Sequence, residues 1–284
     1  VGDNVYANST DRDVLWDYHL RQRSIPNFAR LLATVPTLAT WDDHDFGPND
    51  SHGQTPGKAD SLMAFKDLWA NPSYGTGDLP GVFFTYTWGN VDFIVLDDRY
   101  YRTDEHTENV PGKTQFGAAQ RAWLFEQLSA SRAPFKMVVN GYDIMGARYP
   151  EEIGIIARHI RDHEIYGVLF LSGDIHRNEF KQQEHGMGYP VVQITSSGIA
   201  KNDNRPWAMV DVDTTLDDPT LTARFFTRES RELTKEVKLS ALTPQGVNDL
   251  ILHSPAGGER LPAGTTFTVA WTRVGTGIAN VSLE

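Results

Sequence analysis

Thr40-Trp41-Asp42-Asp43-His44-Asp45-Phe46-Gly47 places three carboxylates and an imidazole on four consecutive residues, directly after the apolar run Val35-Pro36-Thr37-Leu38-Ala39. Carboxylates held this close repel one another and resist losing water, so a packed cluster of this kind calls for a compensating cation. Taken alone, the stretch also reads as a solvated acidic loop. Two further acidic marks follow strand-like runs: Gly2-Asp3-Asn4-Val5-Tyr6 at the start, and Ser172-Gly173-Asp174-Ile175-His176 after Gly167-Val168-Leu169-Phe170-Leu171. Oxygen and imidazole donors at the ends of several separate strands are how an α/β layer fold assembles a metal site. An EF-hand does not fit, because counting from Asp43 puts glycine and proline where a ligand and a glycine are needed.

Outward from these marks, strand and helix patterns alternate. Apolar residues recur at helical spacing from Asp11 to Leu32, and Pro26 is expected to split this stretch into two helices. Ala59 to Ala70 predicts another helix, closed by Asn71-Pro72. Phe83 to Trp88 and Asp92 to Leu96 predict strands joined by the turn formers Gly89-Asn90. A helix over Gln115 to Ser131, a buried strand over Phe135 to Asn140 and a helix over Glu151 to His163 follow. Val168 to Leu171 and Val191 to Ser196 complete the β-rich runs. This order favours an α/β sandwich with its chemistry on strand-end loops. Near residue 245 the pattern changes: the period-two stretch Gly264-Thr265-Thr266-Phe267-Thr268-Val269-Ala270-Trp271 opens a small β-sandwich. The domain reading is therefore residues 1–240 for the main domain and 248–284 for a partial β module.

Composition narrows the classes. The 284-residue chain is 40% apolar and 11% aromatic, enough for a packed core. Its formal net charge of -11, without any Lys/Arg-rich run, argues against a nucleic-acid clamp or an anionic-membrane binder. Cysteine is absent, which excludes disulfides, thiolate zinc sites and a cysteine nucleophile. No apolar stretch approaches the roughly 20 residues of a membrane-spanning helix. Val1-Gly2-Asp3 reads as the tail of a strand whose earlier residues lie outside this chain.

Lesser candidates surround the main marks. Asp97-Asp98-Arg99 and Arg102 are suited either to holding a phosphate or to pairing with one another. Asn140 offers an amide oxygen at a strand end, either to a metal or to a turn. Ser196-Ser197-Gly198 suggests a hydroxyl-lined turn, but no Gly-x-Ser-x-Gly elbow surrounds either serine. The remaining histidines have no partners in sequence and are read as structural or exposed.

Together these residues resemble the PhoD-like alkaline phosphatase family, a branch of the calcineurin-like metallophosphoesterases. Gly2-Asp3-Asn4-Val5-Tyr6 is similar to the family's Gly-Asp-x-x-Tyr, and Trp41-Asp42-Asp43-His44-Asp45 to its Trp-Asp-Asp-His-Glu/Asp. Leu96-Asp97-Asp98-Arg99-Tyr100-Tyr101-Arg102 is similar to its Leu-Asp-x-Arg-x-x-Arg, and Gly173-Asp174-Ile175-His176 to its Gly-Asp-x-His. The resemblance covers roughly residues 1 to 230 and implies a four-layer αββα sandwich. It implies that Asp3 bridges two metals, that Tyr6 and His176 bind an Fe3+-type ion, and that Asp43 and Asp174 bind a second, often Ca2+. Zn2+ or Mn2+ are alternatives, and Asp42 competes with Asp43 for the ligand role. His44 would protonate the leaving oxygen, and Arg99 would offset phosphoryl charge. The family's upstream ligand motif has no counterpart here, so the implied ligand set is incomplete within these residues. The tail resembles secreted Ser-Pro-Asn-Gly-Gly-Glu modules, with Ala256 in place of the asparagine, and implies a secreted or periplasmic protein.

The expected activity is hydrolysis of a small phosphate mono- or diester by a metal-activated hydroxide, in a monomer. The rival reading is an inactive extracellular binding module that keeps the fold and a structural Ca2+. His44 and His176 weigh against it, because a purely structural calcium site has little use for imidazole. A metal-dependent hydrolase of non-phosphate esters is a third reading, separable only by assay.

Overall fold

The computed structural model describes residues 1–198, 200–201, 204–254 and 266–275. Helices α1 (Arg12–Arg23) and α2 (Pro26–Thr34) replace the single long helical pattern, with Pro26 in the first turn of the second. A proline is tolerated there because its missing N–H has no intrahelical partner in any case. Asp11 caps α1 by accepting from Asp13 N at 2.9 Å and Val14 N at 3.1 Å. The one-turn helix α3 (Asp43–Phe46) and helix α4 (Lys58–Leu68) follow.

Six strands form the main sheet: β1 (Phe84–Trp88), β2 (Val91–Val95), β3 (Phe135–Val139), β4 (Val168–Ser172), β5 (Asn178–Gln183) and β6 (Val191–Ser196). Their order across the sheet is β1-β2-β3-β4-β6-β5. The four central strands are parallel, and β1 and β5 run antiparallel at the edges. The crossovers from β2 to β3 and from β3 to β4 carry helices α5 (Ala118–Ala130) and α6 (Pro150–Asp162). Leu124 and Leu128 of α5, with Ile153, Ile156 and Ile160 of α6, share one core with Val138 and Phe170 of the sheet.

A second sheet, β7 (Trp207–Asp213), β8 (Thr220–Phe226) and β9 (Arg231–Lys238), is antiparallel throughout. Leu221, Ala223 and Phe225, alternate residues of β8, enter the same core. Val210 and Val212 of β7 border a cleft shared with Phe93, Met137 and Leu171 of the first sheet. Both faces of the central strands are therefore covered, which is why Phe135–Val139 is buried at every position. Beside the second sheet, Phe28, Leu31 and Leu32 of α2 line a groove with Trp207 and Val210 of β7. The layers run helix, sheet, sheet, with the α2 side adjoining the second sheet, in keeping with the expected αββα sandwich.

The carboxyl-terminal change of pattern appears as a separate hairpin, β10 (Asp249–Ser254) paired with β11 (Ala270–Val274). It is docked rather than detached: Val274 is buried in the main core, and Tyr166 Oη donates to Asp249 Oδ2 at 3.0 Å. The rest of the module expected over 248–284, from residue 255 to 265 and beyond 275, lies outside the described residues. Among the described residues, no helix is long and apolar enough to cross a membrane.

Lys136, in the fully covered strand β3, is 1% exposed; its Nζ donates to Ala133 O at 2.6 Å and lies 4.2 Å from the Tyr166 ring centroid. Burial pulls its pKa from 10.5 down to about 7. Between those two values the unfolded chain keeps a proton that the folded chain gives up, so the lysine's cost to stability grows as pH falls through that window and levels off below it. Lys136→Met should therefore raise the melting temperature more at pH 7 than near pH 10. An equal shift at both pH values in thermal unfolding would contradict a neutral buried lysine.

Candidate metal centre

Three loops meet at one point beyond the strand ends: residues 2–6, residues 41–46 and residues 173–176. Glycines allow the approach. A Cβ on Gly2, whose φ is +66°, would lie 3.0 Å from Asp42 Cβ and from Gly141 O, and one on Gly141 would lie 2.3 Å from Trp41 O. Asp3, Asp174 and His176 take φ values of +45°, +67° and +53°. Non-glycine residues hold that left-handed conformation at a cost on the order of 1 kcal/mol or more, and such strain concentrates at functional sites.

All five expected ligands are brought together. One carboxylate oxygen from each of Asp3, Asp42, Asp43 and Asp174 lies within 4.8 Å of the others, and Asp3, Asp43 and His44 form an overlapping group. Tyr6 Oη donates to Asp3 Oδ2 at 2.8 Å and contacts His176 Nε2, which lies 3.1 Å from the same Asp3 oxygen. Asp42 and Asp43 both belong to the group, so their neighbouring positions on α3 and its cap do not exclude either. Asn140, just beyond β3, donates its amide to Tyr142 O and keeps its buried Oδ1 without a hydrogen-bond partner.

Asp3 Oδ1, Asp42 Oδ2 and Asp98 Oδ1 are likewise buried and accept no hydrogen bond. A buried acceptor left unmade costs about 1–3 kcal/mol, more when it is charged. Three orphaned carboxylate oxygens and one amide oxygen make a donor set suited to hard cations. The residues therefore fit the metal ions that the sequence resemblance implies.

Electrostatics point the same way. Burial, reinforced by Asp45 and Asp43, pushes the Asp3 carboxyl up to about 8. Burial raises Asp42 well above the carboxylate range and raises Asp174, in both cases against the pull of Arg99. Asp43 differs: burial raises it, but Arg99 and the backbone N–H of Asp50 outweigh this and hold it low. Burial raises the Tyr6 phenol, with Asp3 adding to the effect. A cluster that takes up protons for lack of positive charge is one that a cation would displace them from.

Not every acidic neighbour belongs to the site. Asp45 accepts from Val5 N at 2.8 Å and Asn4 N at 3.0 Å, tying the second loop to the first. Asp97 accepts from Trp41 Nε1 at 2.8 Å and from the backbone of Arg99, Tyr100 and Val82. His44 faces the cluster edge, its Nδ1 2.5 Å from Asn8 Oδ1 and its Nε2 4.0 Å from Asp43 Oδ1. Asn8 and Lys201, whose Nζ lies 4.6 Å from the Tyr6 ring centroid, were not expected from the sequence, whereas Asp98 stood in the candidate run Asp97-Asp98-Arg99.

The sequence left Arg99 and Arg102 open between holding a phosphate and pairing with neighbouring acids; each is 1% exposed and ion-paired. Arg99 pairs with Asp42 through Nε and Nη2 and donates Nη1 to Ser51 O at 3.2 Å. Arg102 pairs with Glu105 and packs 4.2 Å and 4.7 Å from the Tyr142 and Tyr149 ring centroids. A planar, permanently charged guanidinium is well suited to a dry site between carboxylates and aromatic faces. Arg99 thus offsets the charge of the Asp42–Asp43 loop from a buried position.

Removing one partner of a buried pair strands the other. Arg99→Ala should cost about 3–5 kcal/mol of unfolding free energy in chelator-treated protein. Arg12→Ala, which breaks the surface pair with Asp67, should cost less than about 1 kcal/mol. Urea unfolding of the two variants checks this, and similar small losses in both would contradict it.

Comparison with known proteins agrees with this geometry. The family model described as PhoD-like phosphatase matches residues 6–205. Alkaline phosphatase D of Bacillus subtilis (strain 168) is 26% identical over 214 residues, covering 60% of this chain; the chain covers 36% of that relative's length. The solved structure of PhoD superposes with a TM-score of 0.62 at 17% identity, over 87% of this chain and 66% of that one. Purple acid phosphatase PPD1 from yellow lupin seeds superposes with a TM-score of 0.53 at 11% identity, over 84% of this chain and 45% of that one. The structural likenesses establish a metallophosphoesterase fold. With the family model covering most of the chain, and its motifs meeting at one point, the chain belongs to the PhoD-like phosphatase family.

Proposed function

We propose that this protein hydrolyses small phosphate mono- or diesters at a centre of two or more cations held by Asp3, Tyr6, Asp43, Asp174 and His176, with Asp42 and Asn140 as further donors. The observation that carries this is the convergence of four carboxylates within 4.8 Å, three buried and Asp174 half-buried, with unpartnered oxygens on Asp3, Asp42 and Asn140. A phenol, an imidazole and shared carboxylates around Asp3 suit a hard trivalent ion such as Fe3+ on the Tyr6 side. Carboxylate and amide oxygens around Asp174 and Asn140 suit Ca2+, with Zn2+ or Mn2+ as alternatives. Bound there, the cations supply Lewis acidity toward a phosphoryl oxygen and lower the pKa of a water.

The chain's own groups do the rest. Arg99, through Asp42 and Asp43, is a positioning residue that fixes the α3 loop and offsets its charge. His44 is held by Asn8 with its Nε2 on the cluster side, where it exchanges a proton with the leaving oxygen. Burial lowers its pKa, so the resting imidazole donates Nδ1–H to Asn8 and presents a bare Nε2, which must first take up a proton before it can pass one to the leaving oxygen. Imidazoles at the cluster support catalysis over a structural calcium site. Export from the cell is the localisation we favour, on the resemblance of the carboxyl-terminal segment to secreted modules, and the acidic surface favours a small ester over nucleic acid.

Assay of p-nitrophenyl phosphate, bis-p-nitrophenyl phosphate and p-nitrophenyl acetate tests the reading: turnover of a phosphate ester, abolished by chelator and restored by metal, is expected. Turnover of the acetate alone would contradict it. Asp174→Ala should lose a cation and most turnover, whereas His44→Ala should keep the metal content and lose about 10²–10⁴-fold in rate. Equal metal content in the two variants would undo this division of roles.

A further inference from the structure

Asp98, just beyond β2, is 0% exposed, and a carboxylate at that depth is costly unless its oxygens are engaged. Only one of them is. Its Oδ2 accepts from Tyr142 N at 2.6 Å, while its Oδ1 is buried without a hydrogen-bond partner among the described residues. Asp97 beside it shows the ordinary solution, with Oδ1 accepting from Trp41 Nε1 and the backbone of Arg99 and Tyr100, and Oδ2 from Val82 N.

Two fully buried neighbours share the half-engaged state of Asp98. Asp42 offers Oδ1 to Arg99 and keeps an unpartnered Oδ2; Asn140 donates its amide to Tyr142 O and keeps an unpartnered Oδ1. Gly141 stands between them. A Cβ there would lie 3.0 Å from Asp42 Cβ and 3.1 Å from Asp98 Oδ1, so the missing side chain leaves the two carboxylates facing one another. The Asp174 loop meets the same glycine, because Gly173 N donates to Gly141 O at 2.8 Å.

We infer that Asp98 is a further ligand of the cation on the Asp174 side of the centre, forming with Asp42 and Asn140 an oxygen wall around Gly141. The inference rests on the metal-centre reading above and adds a residue at a position that the motif Leu-Asp-x-Arg leaves variable. In each of the three side chains one atom fixes the group and one oxygen is left over, which is the state of a ligand set built before its ion. A single water has two protons to donate and would leave one of the three oxygens unmade, whereas a cation engages them together. Carboxylate and amide oxygens without imidazole or thiolate suit a Ca2+-type ion, which accepts many oxygens in irregular geometry. The arginines do not take this place. Arg99 is engaged with Asp42 Oδ1 and Ser51 O, and Arg102 pairs through Nη2 with Glu105 while its Nε and Nη1 bond to nothing among the described residues.

The test uses Asp98→Asn, which keeps an oxygen able to accept from Tyr142 N and removes the charge, and Asp98→Ser, which leaves room for water. Melting temperature is read on chelator-treated protein, and the affinity and melting shift are read on adding Ca2+ alone. Without metal, Asp98→Asn should unfold at or above the wild-type temperature, since one half-engaged buried charge has gone. Both variants should bind Ca2+ at least about tenfold more weakly and show a smaller melting shift. Wild-type affinity in both variants would overturn the proposal. Combined with a raised metal-free melting temperature, it would make Asp98 a partner of Asp42 in sharing a proton; combined with a lowered one, a counter-ion reaching Arg102 through water. A wild-type protein that binds no Ca2+ would overturn it as well. Turnover of p-nitrophenyl phosphate separates the two readings: a wild type that binds Ca2+ but hydrolyses no phosphate ester ends the phosphatase reading, and the variants still decide the role of Asp98. Ester turnover with Ca2+ affinity unchanged in both variants ends the Asp98 inference alone.

Discussion

Charge repulsion among Asp3, Asp42, Asp43 and Asp174 is the constraint around which the rest of this molecule is arranged. Four carboxylates within 4.8 Å, all buried or nearly so, are not a stable arrangement for an unaided polypeptide. One guanidinium, that of Arg99, is sealed against Asp42 and reaches Asp43 at 4.0 Å. It offsets part of the charge, while burial, reinforced by the neighbouring carboxylates, still raises Asp3, Asp42 and Asp174. On the function proposed above, cations would complete the balance and supply the capacity for phosphoryl chemistry.

The fold supplies what this repulsion would otherwise prevent. Parallel strands β3 and β4, covered on both faces, deliver their carboxyl-terminal loops to one edge, where open α/β sheets place their sites. Gly2 and Gly141 let those loops touch where a single methyl group would clash with backbone. The left-handed conformations of Asp3, Asp174 and His176 store strain that the surrounding core holds in place. Asp45 and Asp97, fully hydrogen-bonded to backbone and indole donors, brace the same loops without joining the donor set. Adjacent aspartates in one motif therefore divide between bracing the loop, as Asp45 does, and joining the carboxylate cluster, as Asp42 and Asp43 do.

Much of this was legible in the sequence because the decisive residues are short-range and chemically loud. The run Trp41-Asp42-Asp43-His44-Asp45 and the pair Asp174 and His176 announce the donor loops. The apolar stretch before Asp174 forms β4, whereas the expected strand before Asp42 is absent, residues 36–42 being extended chain held by side-chain hydrogen bonds. Pro26 announces the break between two helices. What was not legible depends on burial. Arg99 and Arg102 beyond a strand end read equally as anion anchors or as buried counter-ions, and only the packing of Asp42, Glu105 and the Tyr142 ring around them decides. Strand β5, Asn178–Gln183, is polar enough to pass for a loop, since its place at the sheet edge demands little apolar surface. The alternation in Thr220–Phe226 was a usable signal for the second sheet. Lys201 carried none, because a lone lysine in a turn looks like any solvated one.

Anomalous diffraction from crystals of the protein purified without chelator tests the central claim most directly. Strong peaks are expected at the cluster, one beside Tyr6 and His176 and one beside Asp174 and Asn140, with Asp3 between them. A well-ordered cluster without bound cations, its carboxyls sharing protons and Asp3, Asp42 and Asn140 bonded to water alone, would contradict it.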